Sequence, residues 1–119
     1  MNAAITYKSH VTSNVLDELA RQLPSIIADA LHVPGGRLAI VTPEQVSLEF
    51  SEASGRDVGA DLRIMVFAKN NDFRESNEND LAKEILGKIL AAVTNAGVDY
   101  SVDVRLYLMT IGAAEHSLG

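Results

Sequence analysis

The side chains able to do chemistry are few and widely spaced. His10, His32 and His116 stand far apart, and cysteine is absent. A zinc or iron site needs several His, Cys or carboxylate groups converging on one point, so the spacing implies no metal. Serine, histidine and acid do not occur as a nucleophile elbow with its partners. Gly35-Gly36 and Gly55 lack the lysine and Ser/Thr of a phosphate loop. What remains is the α-amine at Met1, which can serve as a general base, and scattered cations: Lys8, Arg37, Arg63, Arg74 and Arg105. Guanidinium groups hold carboxylates bidentately. They also pair with neighbouring acids, as Arg74 would with Asp72 or Glu75, and Arg63 or Arg105 with Asp103 or Asp61.

The elements that must position these groups are legible from periodicity. Ala3 to Lys8 reads as a strand, with Thr12 or Ser13 as the cap of a helix behind it. Val15, Leu16, Leu19, Leu23, Ile26, Ile27, Ala30 and Leu31 form one apolar stripe on a helix of about 18 residues. Pro24 lies inside this stripe, and the phase continues on both sides, so one bent helix is expected rather than two. Pro34-Gly35-Gly36 is a turn, and Leu38 to Thr42 a short extra strand broken by Pro43. Val46, Leu48 and Phe50 alternate with polar residues as a half-buried strand does. Ser51 to Gly59 reads as a loop. Leu62, Ile64, Val66 and Ala68 mark a longer strand, followed by an irregular polar stretch from Asn70 to Glu75. Ser76 or Asn77 then caps a second helix with Leu81, Ile85 and Ile89 on its stripe, and Gly97 stops it. Val102, Val104, Leu106 and Leu108 mark a last strand.

The order is β-α-β-β-α-β, two βαβ units in one α+β domain spanning residues 1–119, with a mixed sheet and both helices on one of its faces. The other face would carry Arg63, Met65, Phe67, Arg105 and Tyr107, too apolar for a plain solvent surface, and so points to subunit association. The formal charge is −6 and no basic stripe is present, which disfavours nucleic acid as a partner. No apolar run has the roughly 20 residues that span a bilayer, and no signal-peptide pattern opens the chain. The absence of cysteine fits a reducing, cytoplasmic compartment.

Several short runs resemble the tautomerase superfamily, the MIF-like fold. Thr42-Pro43-Glu44-Gln45-Val46 is similar to a Val-Pro-Asp-Gln-Leu run in that family, and Tyr107-Leu108-Met109-Thr110 to its Tyr-Asp-Met-Asn. Pro24 in mid-helix and Pro34 beyond it resemble a pair of family prolines. Ala68-Lys69 with Arg74 five residues on resembles Leu-Lys-Ile-Gly-Ala-Gly-Arg-Ser. The resemblance implies a homotrimer with sites between subunits, no cofactor, and proton transfer in a small keto acid or unsaturated dicarboxylate by an N-terminal proline. This chain instead opens Met1-Asn2-Ala3, so the amine of Met1 takes the place of the base. Arg74 is the carboxylate clamp carried over from the pattern, although Phe73 and Glu75 flank it where the family has Gly and Ser. Lys8 and Arg37 are further candidates for binding the substrate. Two functions follow: an isomerase of this kind, or a noncatalytic trimer on the same scaffold that binds a small acidic metabolite or a protein partner.

Overall fold

The computed structural model describes residues 1–33, 41–97 and 99–118. Strand β1 (Asn2–Tyr7) is followed by helix α1 (Ser13–Leu31), a single 3-10 turn at Pro43–Gln45, strands β2 (Ser47–Glu52) and β3 (Leu62–Lys69), the short helix α2 (Asp72–Ser76), helix α3 (Glu78–Asn95) and strand β4 (Val102–Met109). The sheet order is β2-β1-β3-β4. β1 runs parallel to β2, antiparallel to β3, and β3 runs parallel to β4. Each parallel pair is one strand–helix–strand unit, and the two units join through the central β1–β3 ladder. Both long helices lie on one side of the sheet.

The core forms where the two periodicities meet. Along β3, Leu62, Ile64, Val66 and Ala68 are fully buried while the residues between them are not. Ile5 of β1 joins them, and above lie Leu19, Leu23, Ile27 and Leu31 of α1 with Ile85 and Ile89 of α3, all without solvent exposure. Helix α1 stays unbroken through Pro24, as its uninterrupted stripe requires: the burial of four large side chains outweighs the one lost backbone donor. Gly97 has φ +81° just past the end of α3, a left-handed stop that glycine adopts without steric cost.

Two departures from the sequence reading stand out. Asn70 to Glu75 is not irregular throughout. Asn71 accepts the backbone N–H of Arg74 at 2.8 Å and caps α2. The cap residue was visible, but one helical turn is too short to show a periodic stripe. Of the extra strand expected at Leu38 to Thr42, residues 38–40 lie outside the described residues, and Val41 and Thr42 are not in a strand. Thr42 instead forms a capping box with Gln45, which turns the chain into β2. The turn expected at Pro34-Gly35-Gly36 also lies outside the described residues.

Candidate functional site

The face of the sheet away from the helices is uncovered. Strand alternation assigns it Asn2, Ala4 and Thr6 of β1, Glu49 of β2, and Met65 and Phe67 of β3, with Arg105 and Tyr107 of β4 in register beside the last two. The rings of Phe67 and Tyr107 stack with centroids 5.1 Å apart and planes 14° apart. Tyr107 and Met109 are 40% and 37% exposed, so the apolar surface expected from the sequence is present.

Two depressions lie on this face. The first, about 460 Å³, is lined by Asn2, Ala3, Ala4, Ser47, Leu48, Glu49 and Phe67. It adjoins the start of β1, where the Ser47 N–H donates to the Met1 carbonyl at 2.9 Å. Glu49 is the one charged residue among those lining it. The second, about 320 Å³, lies across β3 and β4, with Thr6, Arg63, Met65, Asp103, Arg105 and Tyr107 in its wall.

Arg74 sits elsewhere. It is 4% exposed, among residues of the core. Its Nε and Nη2 donate to the Leu31 carbonyl at 3.3 and 3.0 Å, and Nη1 donates to the Lys69 carbonyl at 2.8 Å. Leu31 ends α1 and Lys69 ends β3. The guanidinium therefore satisfies the open Leu31 carbonyl at the negative end of one helix and ties it to the end of a strand in the other unit. Burial pushes its pKa below the ordinary arginine value, although arginine stays protonated in proteins. Neither Asp72 nor Glu75 pairs with it: Glu75 accepts from Asn70 at 3.2 Å.

Lys8 follows β1 at the end opposite Met1. The extended strand sets the two roughly 20 Å apart. Arg37 lies outside the described residues. Lys69, quoted in the sequence only as part of the resemblance, is exposed on the uncovered face two residues beyond Phe67, beside Met109 of β4.

Arg63 and Arg105 are held by acids. Arg63 bonds Asp57, not Asp61 or Asp103. The Gly59 N–H, 2.7 Å from Asp57, is the main cause of that carboxyl's lowered pKa, with Arg63 adding to it. A side chain at Gly59 would come within 3.1 Å of Asp57 Oδ1 and 3.3 Å of Arg63 Cδ, so the tight approach favours glycine there. Arg105 meets Asp103 on its own strand at 3.4 Å. Asp61 pairs with His10 at 3.0 Å and accepts the Ser101 N–H at 3.0 Å. The Tyr100 hydroxyl accepts the Thr12 N–H at 3.1 Å and donates to the His10 carbonyl at 3.3 Å. In this cluster the carboxylate stands between histidine and serine, the wrong order for a nucleophilic triad. Among the described residues no group of three or more His, Cys, Asp or Glu is placed to hold a metal, and no helix is long and apolar enough to cross a membrane.

Neither a protein-family model nor a curated protein matches the sequence. Solved structures do match in three dimensions. A fused 4-OT described as a symmetric trimer superposes with TM-score 0.66 at 13% identity, over 96% of this chain and 92% of that one. Malonate semialdehyde decarboxylase gives TM-score 0.61 at 13% identity, over 100% and 92%. A member of the cis-3-chloroacrylic acid dehalogenase family gives TM-score 0.64 at 13% identity, over 92% and 76%. All are tautomerase-superfamily structures, and the fold of this chain is the tautomerase-superfamily fold.

Proposed function

We propose that the protein is an isomerase-class proton-transfer catalyst for a small keto acid or unsaturated dicarboxylate, working as a homotrimer. The observation that carries this reading is the 460 Å³ depression beside the first residue of β1, on the sheet face that the helices leave bare. In this reading the amine of Met1 removes a proton from the carbon next to a carbonyl, or from an enol oxygen. It returns the proton to the other atom of the conjugated system. Only bonds to hydrogen and the positions of double bonds change, so no oxidant or cofactor is consumed. Support comes from the shared fold and from similar structures that include a fused 4-OT, a decarboxylase and a dehalogenase-family member. The trimer rests on the fused 4-OT trimers and on the exposed Tyr107 and Met109. The Arg74 guanidinium is engaged with carbonyls, so its part is to fix the end of β3 near the cavity.

The test is ketonisation of enol phenylpyruvate by protein whose first residue has been verified by intact mass. The expected rate exceeds that of buffer and falls when the amine is blocked by acetylation. A rate equal to buffer with Met1 at the terminus overturns the proposal.

A second reading, a noncatalytic trimer binding a small acidic metabolite or a protein partner, is favoured by one observation: Arg74 is occupied by backbone carbonyls. It predicts saturable phenylpyruvate binding by calorimetry with no turnover.

A further inference from the structure

The depression beside Met1 runs along β1, and opposite charges stand towards its two ends. The strand register sets Phe67 of β3 beside Asn2, and Glu49 of β2 beside Ala4. Lys69 stands two residues beyond Phe67 on the same bare face. Because β3 runs antiparallel to β1, those two residues carry it past Asn2 towards the Met1 end. Glu49 lies two positions from Asn2 in the other direction. The two charges are therefore set roughly 14 Å apart along the strand direction, the cation at the amine's end and the acid at the far end.

Both charges are available to a ligand. The two side chains are exposed, and among the described residues neither forms an ion pair. The backbone under Lys69 is fixed: its carbonyl accepts Arg74 Nη1 at 2.8 Å, and the next N–H, from Asn70, donates to the Met109 carbonyl at 3.0 Å. Lys69 is outside the wall of the depression, but its flexible four-carbon stem lets the ammonium reach the Met1 end. The Met1 amine adds no positive charge while it acts as a base, since only its unprotonated form takes up a proton. Between the charged ends the wall is uncharged, with Asn2, Ala4, Ser47, Leu48 and Phe67 in it.

We propose that this charge gradient sets the ligand's charge class and its direction: a keto acid with one carboxylate, held by Lys69 at the amine's end, with an uncharged tail towards Glu49. A second carboxylate on the tail would meet Glu49, so the unsaturated dicarboxylates that the proposed function also allows are rejected. The inference rests on that reading's placement of the ligand in this depression, and it narrows the substrate class. It makes Lys69 a binding residue and Glu49 a specificity-determining one.

The test is calorimetric binding of three ligands that differ mainly in charge: the methyl ester of phenylpyruvate, phenylpyruvate itself, and 4-carboxyphenylpyruvate. The parent should bind phenylpyruvate about threefold or more tighter than the neutral ester, and 4-carboxyphenylpyruvate about threefold or more weaker than phenylpyruvate. Each step corresponds to one pair of unit charges about 6 Å apart in water, and both should shrink in high salt. Glu49→Gln should raise the dicarboxylate to the phenylpyruvate affinity and leave the ester unchanged. Lys69→Gln should lower phenylpyruvate to the ester's affinity, again with the ester unchanged. Both side chains are exposed, so circular dichroism of each variant should match the parent. Equal binding of the three ligands by the parent, no binding of phenylpyruvate, or variants that shift all three ligands alike would each overturn the proposal. Ketonisation is scored separately. A flat charge series with turnover intact removes the charge gradient alone, and a graded series without turnover removes the isomerase reading alone.

Discussion

Arg74 shows how the surroundings of a side chain engage it in ways its sequence position does not reveal. A loop arginine ahead of a helix suits an anion clamp, yet here its fork bridges the Leu31 and Lys69 carbonyls from a buried position. Arg74→Ala should therefore destabilise the fold by about 2–4 kcal/mol in urea or guanidinium titrations, because it orphans two carbonyls and leaves a void. Arg74→Lys should recover little of this, since an ammonium lacks the planar fork that spans both acceptors. At the other end of the sheet, the Ser101 N–H first, and then the Ser101 hydroxyl and the His10 and Lys8 charges, hold the Asp61 pKa below its ordinary 3.8. The fold thus favours the carboxylate form. That stabilisation is complete above pH 3.8 and is lost as the pH falls further. Thermal melts from pH 6 to pH 2 should show a steeper acid loss for the parent than for Asp61→Asn.

Among the elements, α1 and β3 were the most legible, and both owe it to length. The α1 stripe repeats over five turns, and β3 alternates over eight residues. Leu23, fully buried just before Pro24, should cost about 2–5 kcal/mol as Leu23→Ala. That loss, read by chemical denaturation, would show that packing rather than helix propensity carries α1 past its proline. The short α2 shows no stripe because it is held by local contacts at its ends, the Asn71 cap and the Asn77 side chain on the Phe73 carbonyl. Asn71→Ala should cost about 1 kcal/mol. The link between the His10 loop and Tyr100 joins residues 88 and 90 positions apart, a separation at which local pattern carries no information.

For the whole molecule, the uncovered face is the dominant unsolved surface of a single copy. Phe67, Tyr107 and Met109 lie on it, and β4 is also thinly covered on its inner side, where Val104 and Leu106 remain half-exposed and Leu90 of α3 is 40% exposed. A partner that removes this surface from water gains roughly 25 cal/mol per Å² of apolar area. Tyr107→Asp should disperse the proposed trimer to monomers in sedimentation, with far-UV circular dichroism unchanged. Retention of the trimer would place the contact elsewhere.

Periodicity and composition sufficed for the α+β class, for the βαβ duplication, for the buried stripes and for the mixed apolar character of the bare face. Each of these depends on neighbours within a few positions along the chain, so the information is local. Strand pairing required the folded chain. It put Glu49 and Phe67 into one cavity, carried Lys8 away from Met1, aligned Arg105 with Met65, and enclosed Arg74 between two carbonyls from different units. Such groups are brought together by long-range packing free energy, which no short window of sequence contains.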